Sequence, residues 1–163
     1  MLTRPKDWNT MDDHVRFTKT VEYGPFMQKL GESVMAGMPN LHHVRFSAPV
    51  TKVAVAPITE MLTFYFPADV EKSSFESIWE RFVDVLSKNS DGYLGNIGGW
   101  VVEDLAYEGQ PGKAYVAVIG WESIQAHMAY RETQAFKDTI SEVVGATRGR
   151  VMHHTKFTKL DKA

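Results

Sequence analysis

An α+β fold is predicted for the greater part of this chain, with a complete β-α-β-β-α-β unit over residues 58–159 preceded by part of a related unit. Three observations predict it: strand-like and helix-like apolar periodicities alternate in that order, glycine and proline punctuate them, and the histidines recur in one pattern at an offset of 113 that becomes 111 by the last strand.

The complete unit reads element by element. ITEMLTFYF at 58–66 is β-branched and aromatic and stops at Pro67, as a strand does. From 70 to 88, Phe75, Ile78, Trp79, Phe82, Val83 and Leu86 form the stripe of an amphipathic helix, with Ser73 and Glu76 spaced as a capping box. A second strand spans 93–104, where Gly95, Gly98 and Gly99 point to a bulge or a close backbone approach. EGQPGK at 108–113 is a turn, and AYVAVIGW at 114–121 is a buried strand. Ser123 is placed to cap a helix bearing Ile124, His127, Met128 and Tyr130 on one side. That helix ends near Gly145 or Gly149, and RVMHHTKFTKL closes the unit as its last strand. This order is the split βαβ, or ferredoxin-like, arrangement, an antiparallel sheet with both helices on one face.

The repeat sits in the histidines. His14 follows Trp8 by six residues, and His127 follows Trp121 by six. His42-His43 precedes Phe46 as His153-His154 precedes Phe157. An offset of 113 residues also lays Phe17 over Tyr130. All six histidines acquire a counterpart, which predicts a duplication. The first copy, 1–47, then holds one helix near 9–36 and one strand near 41–47, and 48–57 reads as a linker. A lone helix and strand bury no core of their own, so they must dock, and LHHVRFS is expected to add to an edge of the complete sheet.

Composition narrows the function. A net charge of −2 gives no reason to expect nucleic acid or an anionic membrane as partner. Cysteine is absent, which excludes disulfides, thiolate metal sites and a cysteine nucleophile. No membrane-length apolar run and no secretory leader are visible, so a cytoplasmic location is expected. The sheet is apolar on both faces, which calls for a second sheet or a second copy of the chain, and a homodimer is expected.

GWESIQAHMAYRETQAF, APITEMLTFYFPAD and GYLGNIGGWVVEDLAYEG resemble the dimeric α+β barrel superfamily, and DWNTMDDHVRFTKTVEYGPF does so less closely. Within it they are most similar to the antibiotic-biosynthesis-monooxygenase type in its two-repeat form. The resemblance implies a dimeric α+β barrel, and it permits a cofactor-independent monooxygenase acting on a small aromatic or polyketide-like compound. It equally permits a non-catalytic ligand-binding or stress protein, or a structural and assembly role. Haem-degrading members place an axial histidine where Ile140 stands, and isoleucine cannot ligate iron. Cyclase-like members pair a tyrosine at the position of Tyr130 with a histidine at that of Phe136; the tyrosine matches and the phenylalanine does not.

Candidate residues divide by chemistry. His127, His154 and Tyr130 are the acid–base candidates, although a histidine hydrogen-bonded at a helix start beside Trp121 explains His127 equally well. Tyr65, Tyr93 and Tyr115 carry strand hydroxyls that need partners if buried. Tyr65, Tyr93, Trp100 and Trp121 are the ligand-contact candidates. Neighbouring strand histidines point to opposite faces, so His153 and His154 are poorly placed to share a metal. No metal and no cofactor are expected. GNIGG at 95–99 is no phosphate loop, because it leads into a strand.

Overall fold

The computed structural model describes residues 8–33 and 41–158, and the chain divides into two compact units between His43 and Val44.

In the first unit, α1 (Met11–Thr18) and α2 (Tyr23–Ser33) replace the single helix expected near 9–36, of which 34–36 lie outside the described residues. Thr10 caps α1 in a capping box with Asp13, satisfying two backbone donors at once. The chain turns through 19–22 before α2 starts.

The second unit is built on β2 (Ile58–Phe66), α4 (Lys72–Asn89), β3 (Tyr93–Val101), β5 (Gln110–Trp121), α5 (Ile124–Glu132), α6 (Gln134–Gly145) and β6 (Gly149–Thr155). To these it adds β1 (Val44–Phe46), the short helix α3 (Thr51–Ala54) and β4 (Leu105–Tyr107). The sheet is antiparallel with order β1-β3-β5-β2-β6, and β4 pairs β5. The four strands β3-β5-β2-β6 give the ferredoxin-like order. β1 joins outside β3, with Val44 opposite Val101 and Phe46 opposite Gly99. The expected edge addition therefore occurs within the chain, over 44–46, not the whole of 41–47.

Several boundaries differ from expectation for local reasons. Glu71, not Ser73, caps α4: its carboxylate accepts from the Ser73 amide at 3.3 Å and hydroxyl at 2.8 Å. The helix after Ser123 breaks at Thr133, whose hydroxyl accepts from Phe136 N at 3.1 Å and so starts α6. The 108–113 turn contracts to Glu108 and Gly109, both at positive φ (50° and 78°), and Pro111 already lies in β5. The expected bulge is present between Tyr93 and Gly95, where φ reaches 120°.

Strand alternation separates two cores. Facing α4–α6, Phe64, Phe66, Trp100, Tyr115, Ile119 and Trp121 pack with Phe75, Trp79, Phe82, Tyr130 and Val143. On the other face, Val50 and Val53 pack on Ile97, Val101, Val116 and Val118. The 48–57 stretch, read from sequence as a linker, thus folds as α3 and seals part of that second face. Burying each valine there contributes on the order of 1.5–3 kcal/mol.

Candidate functional site

Two places bring polar chemistry together, and both lie on the helical side of the sheet.

The first is an array around Glu60. In β2 this residue lies opposite Ile119 on one side and His154 on the other, so its side chain faces the helices among apolar neighbours. It is buried, and its Oε2 accepts from the Trp121 indole N–H at 2.9 Å. His127 of α5 stacks on Trp121, ring centroids 4.8 Å apart, with Nε2 3.5 Å from Glu60 Oε2. Its Nδ1 lies 2.8 Å from His154 Nε2. Burial pushes the Glu60 carboxyl up to about 7 against the pull of Trp121 and Arg131. Burial, reinforced by His154 and Arg131, brings His127 down to about 4, and His154 is also lowered, chiefly by burial. Both imidazoles are therefore neutral at neutral pH, one donating its N–H to the other. The chain from indole through carboxylate to two imidazoles reaches solvent at half-buried His154.

Of the three acid–base candidates, His127 and His154 meet in this array and Tyr130 does not join their hydrogen bonding. The Tyr130 hydroxyl is buried and makes no hydrogen bond of good geometry among the described residues; burial raises its pKa, and the nearby Thr139 hydroxyl opposes the rise. The separation of His153 from His154 across the sheet is as alternation requires, since they face Met61 and Glu60 respectively. That separation disfavours a metal held by the adjacent pair and says nothing of residues from other elements. The fold draws Glu60, His127 and His154 from three elements, with one ligating atom of each within 4.8 Å of the others. Glu60 was missed as a site residue, although a lone carboxylate in an otherwise uncharged, largely apolar strand is itself a signal.

The first unit holds a similar cluster. Trp8 stacks on His14 at 5.0 Å, His14 Nδ1 lies 2.6 Å from His43 Nε2, and Phe17 lies 5.7 Å from Trp8, as Tyr130 lies 6.2 Å from Trp121.

The second place is a groove of about 740 Å³ between α4 and the β3 side of the sheet. Gly98, Gly99, Trp100 and Tyr115 floor it, Glu76, Trp79 and Glu80 wall it, and Arg45 and Phe46 of β1 form a rim. Glycine is required at 98, because a Cβ there would lie 2.6 Å from Tyr115 Cζ. Tyr115 is 7% exposed, and its hydroxyl sits over Gly98 with no hydrogen-bond partner among the described residues. Burial first, then the charges of Glu76 and Glu80, push this phenol up to about 12, so it stays a donor at neutral pH. Trp100 donates Nε1–H to Glu76 at 2.7 Å, and Lys72 lies 5.1 Å from its ring centroid. Toward the other end of β3, Asn96 donates to the Tyr93 hydroxyl at 2.5 Å.

Of the ligand-contact candidates, Trp100 lines this groove and Tyr93 borders it through Asn96. Trp121 belongs to the Glu60 array, and Tyr65 lies on the opposite face, stacked on Tyr107 at 4.8 Å. The groove's principal donor, Tyr115, was recognisable only as one of three strand tyrosines.

No protein-family model matches the chain, and no curated protein matches it in sequence. Solved structures do. One is a protein of Lactobacillus acidophilus NCFM, provisionally called a monooxygenase: TM-score 0.54, 11% identity, 90% of this chain and 65% of that one. SnoaB, a cofactor-independent oxygenase from Streptomyces nogalater, solved as a mutant form, aligns over 64% of this chain and 97% of its own, with TM-score 0.47 and 12% identity. A protein of Bordetella bronchiseptica, provisionally called an antibiotic biosynthesis monooxygenase, aligns over 63% and 97%, with TM-score 0.49 and 17% identity. At these identities the likeness concerns the fold alone.

Proposed function

We propose that this chain, which has the fold of the antibiotic-biosynthesis-monooxygenase type of α+β barrel, binds a small aromatic, polyketide-like ketone in the α4–β3 groove and oxidises it with O2 without a bound cofactor. The observation that carries this reading is the Tyr115 hydroxyl: protonated, unpartnered among the described residues, and directed over Gly98 into the groove. A ligand carbonyl oxygen entering the groove can accept this proton. The Trp100 and Trp79 rings supply apolar walls for fused aromatic rings, as small-molecule sites generally do.

The chemistry follows from these groups. An acidic CH2 conjugated to the ligand carbonyl loses a proton to an exposed α4 carboxylate on the groove wall, Glu80 rather than Glu76 or Asp84, which already accept from Trp100 and Lys88. Tyr115 donates to the enolate oxygen that develops, as an oxyanion-hole donor does. The enolate carbon adds O2, and the hydroperoxide formed collapses to C=O and water. One CH2 and one O2 thus become one C=O and one H2O.

A second reading, binding without turnover, is favoured by the absence of histidine from the residues lining the groove. Anthrone, a tricyclic aryl ketone with an acidic CH2, separates the two. Quenching of tryptophan fluorescence together with protein-dependent O2 uptake supports oxidation. Quenching without uptake leaves the binding reading, and neither response overturns both. An open groove weighs against a purely structural role.

The reading includes a homodimer. α3 covers the second sheet face over β3 and β5, whereas Val151 of β6 remains 47% exposed and Met61 and Tyr65 are half-buried. Light scattering should give twice the 18.4 kDa chain mass; a monomer mass at micromolar concentration would refute it.

A further inference from the structure

We propose that Glu60, His127 and His154 form a binding site for one divalent transition-metal ion. The site shares no residue with the groove, and the inference stands apart from the function proposed there.

The donor set is drawn from β2, α5 and β6, and one ligating atom from each lies within 4.8 Å of the other two. Ligands of a 2.0–2.1 Å ion sit roughly 3.0–3.4 Å from one another. His127 approaches its two partners through different ring nitrogens, Nδ1 lying 2.8 Å from His154 Nε2 and Nε2 lying 3.5 Å from Glu60 Oε2. One of these contacts is thus already near that range, and the imidazole must turn to bring the other partner to the same nitrogen. Closing the widest pair takes movements of roughly 1 Å shared between two side chains.

Charge asks for the ion. Glu60 is a buried carboxylate whose hydrogen-bond donor is a neutral indole, and no lysine or arginine forms an ion pair with it among the described residues, Arg131 acting on it only from longer range. A buried carboxylate without a cation is costly, and a divalent ion supplies the missing charge. The surroundings match those of a ligating shell. The Trp121 N–H orients Glu60 at 2.9 Å, and the Trp121 ring fixes the His127 plane by stacking at 4.8 Å. Two imidazoles and a carboxylate, with no sulfur, suit Zn2+, Fe2+, Mn2+, Co2+ or Ni2+. His154 is half-buried on the edge strand β6, so water reaches the remaining coordination positions.

The chain carries its own comparison. His14 and His43 approach as closely, at 2.6 Å, yet no carboxylate joins them in a ligating group among the described residues.

The test uses the full chain, stripped with EDTA and reloaded with Zn2+ or Co2+. We expect one Zn2+ per chain after dialysis and a Co2+ ligand-field band in the visible. Glu60→Gln keeps an acceptor for Trp121 and so keeps the fold, which circular dichroism checks, and it should weaken Zn2+ binding ~100-fold or more. His154→Ala should do the same, and His14→Ala should leave stoichiometry and affinity unchanged. Absence of the Co2+ band in the wild-type chain, full retention of Zn2+ by both Glu60→Gln and His154→Ala, or loss of binding in His14→Ala overturns the assignment.

Discussion

Replacing Gly99 with alanine tests how β1 is held. A Cβ at this position would lie 2.6 Å from the Arg45 carbonyl carbon and 2.9 Å from Phe46 Cα, with the Arg45 oxygen nearer still. These are backbone atoms of the paired strand, so no rotamer change relieves the overlap, and β1 must retreat by about 1 Å to reach ordinary contact. The retreat breaks a three-residue ladder in which the Ser47 amide also donates to Gly98 O at 3.2 Å. Losing two or three such bonds at ~1 kcal/mol each, and about half the burial of Phe46 at ~1 kcal/mol, totals roughly 3 kcal/mol. The lower unfolded-state entropy of alanine returns ~0.5 kcal/mol. Urea unfolding should therefore show a loss of ~2–3 kcal/mol, and hydrogen exchange at 44–47 should accelerate most. Because Phe46 is part of the groove rim, anthrone quenching should weaken in parallel. Wild-type exchange at Ser47 with stability within ~0.5 kcal/mol would show that β1 is not held by this pairing.

The remaining predictions concern single groups. Tyr115 has a raised folded-state pKa, so the folded chain keeps that proton longer than the unfolded one, and the phenol's stability contribution is lost as pH rises through 10–12. The stability difference between wild type and Tyr115→Phe should fall by ~1.4 kcal/mol between pH 8 and 11; a constant difference refutes the shift. Tyr130→Phe removes a buried hydroxyl that makes no hydrogen bond of good geometry among the described residues, with Thr139 nearby, and should change stability by no more than ~1 kcal/mol, with O2 uptake unchanged. If uptake disappears while stability holds, Tyr130 is catalytic. Val53→Ala should cost ~1–2 kcal/mol in chemical denaturation, whereas a free linker would tolerate it.

Much of the architecture was legible along the chain. The β-branched and aromatic run at 58–66, the continuous apolar run at 114–121 and the 3.6-residue stripe of α4 depend on neighbouring residues, and strands and helix form on them, β5 starting earlier at Gln110. The bulge at Gly95 and the Ser123 cap are equally local. Breaks inside helices were harder to read. Thr133 caps α6 as well as closing α5, and nothing in the apolar stripe marks a residue serving both ends. The stretch 48–57 looked like a linker because Pro49 and Pro57 punctuate it, and only the exposed valine face of the sheet gives Val50 and Val53 something to cover.

The site divides in the same way. Residue type and spacing by themselves determined that His127 follows Trp121 on a helix and that His153 and His154 lie on opposite faces, because both statements concern one element. Tertiary structure alone decided that Glu60 sits opposite His154 and beneath Trp121, since strand order and register join residues 61 and 94 positions apart. It likewise decided that Tyr115 points over Gly98, because β3 and β5 must pair in one particular register before that glycine lies beside that ring. Alternation sets the face of a side chain, and pairing between distant strands sets its neighbours.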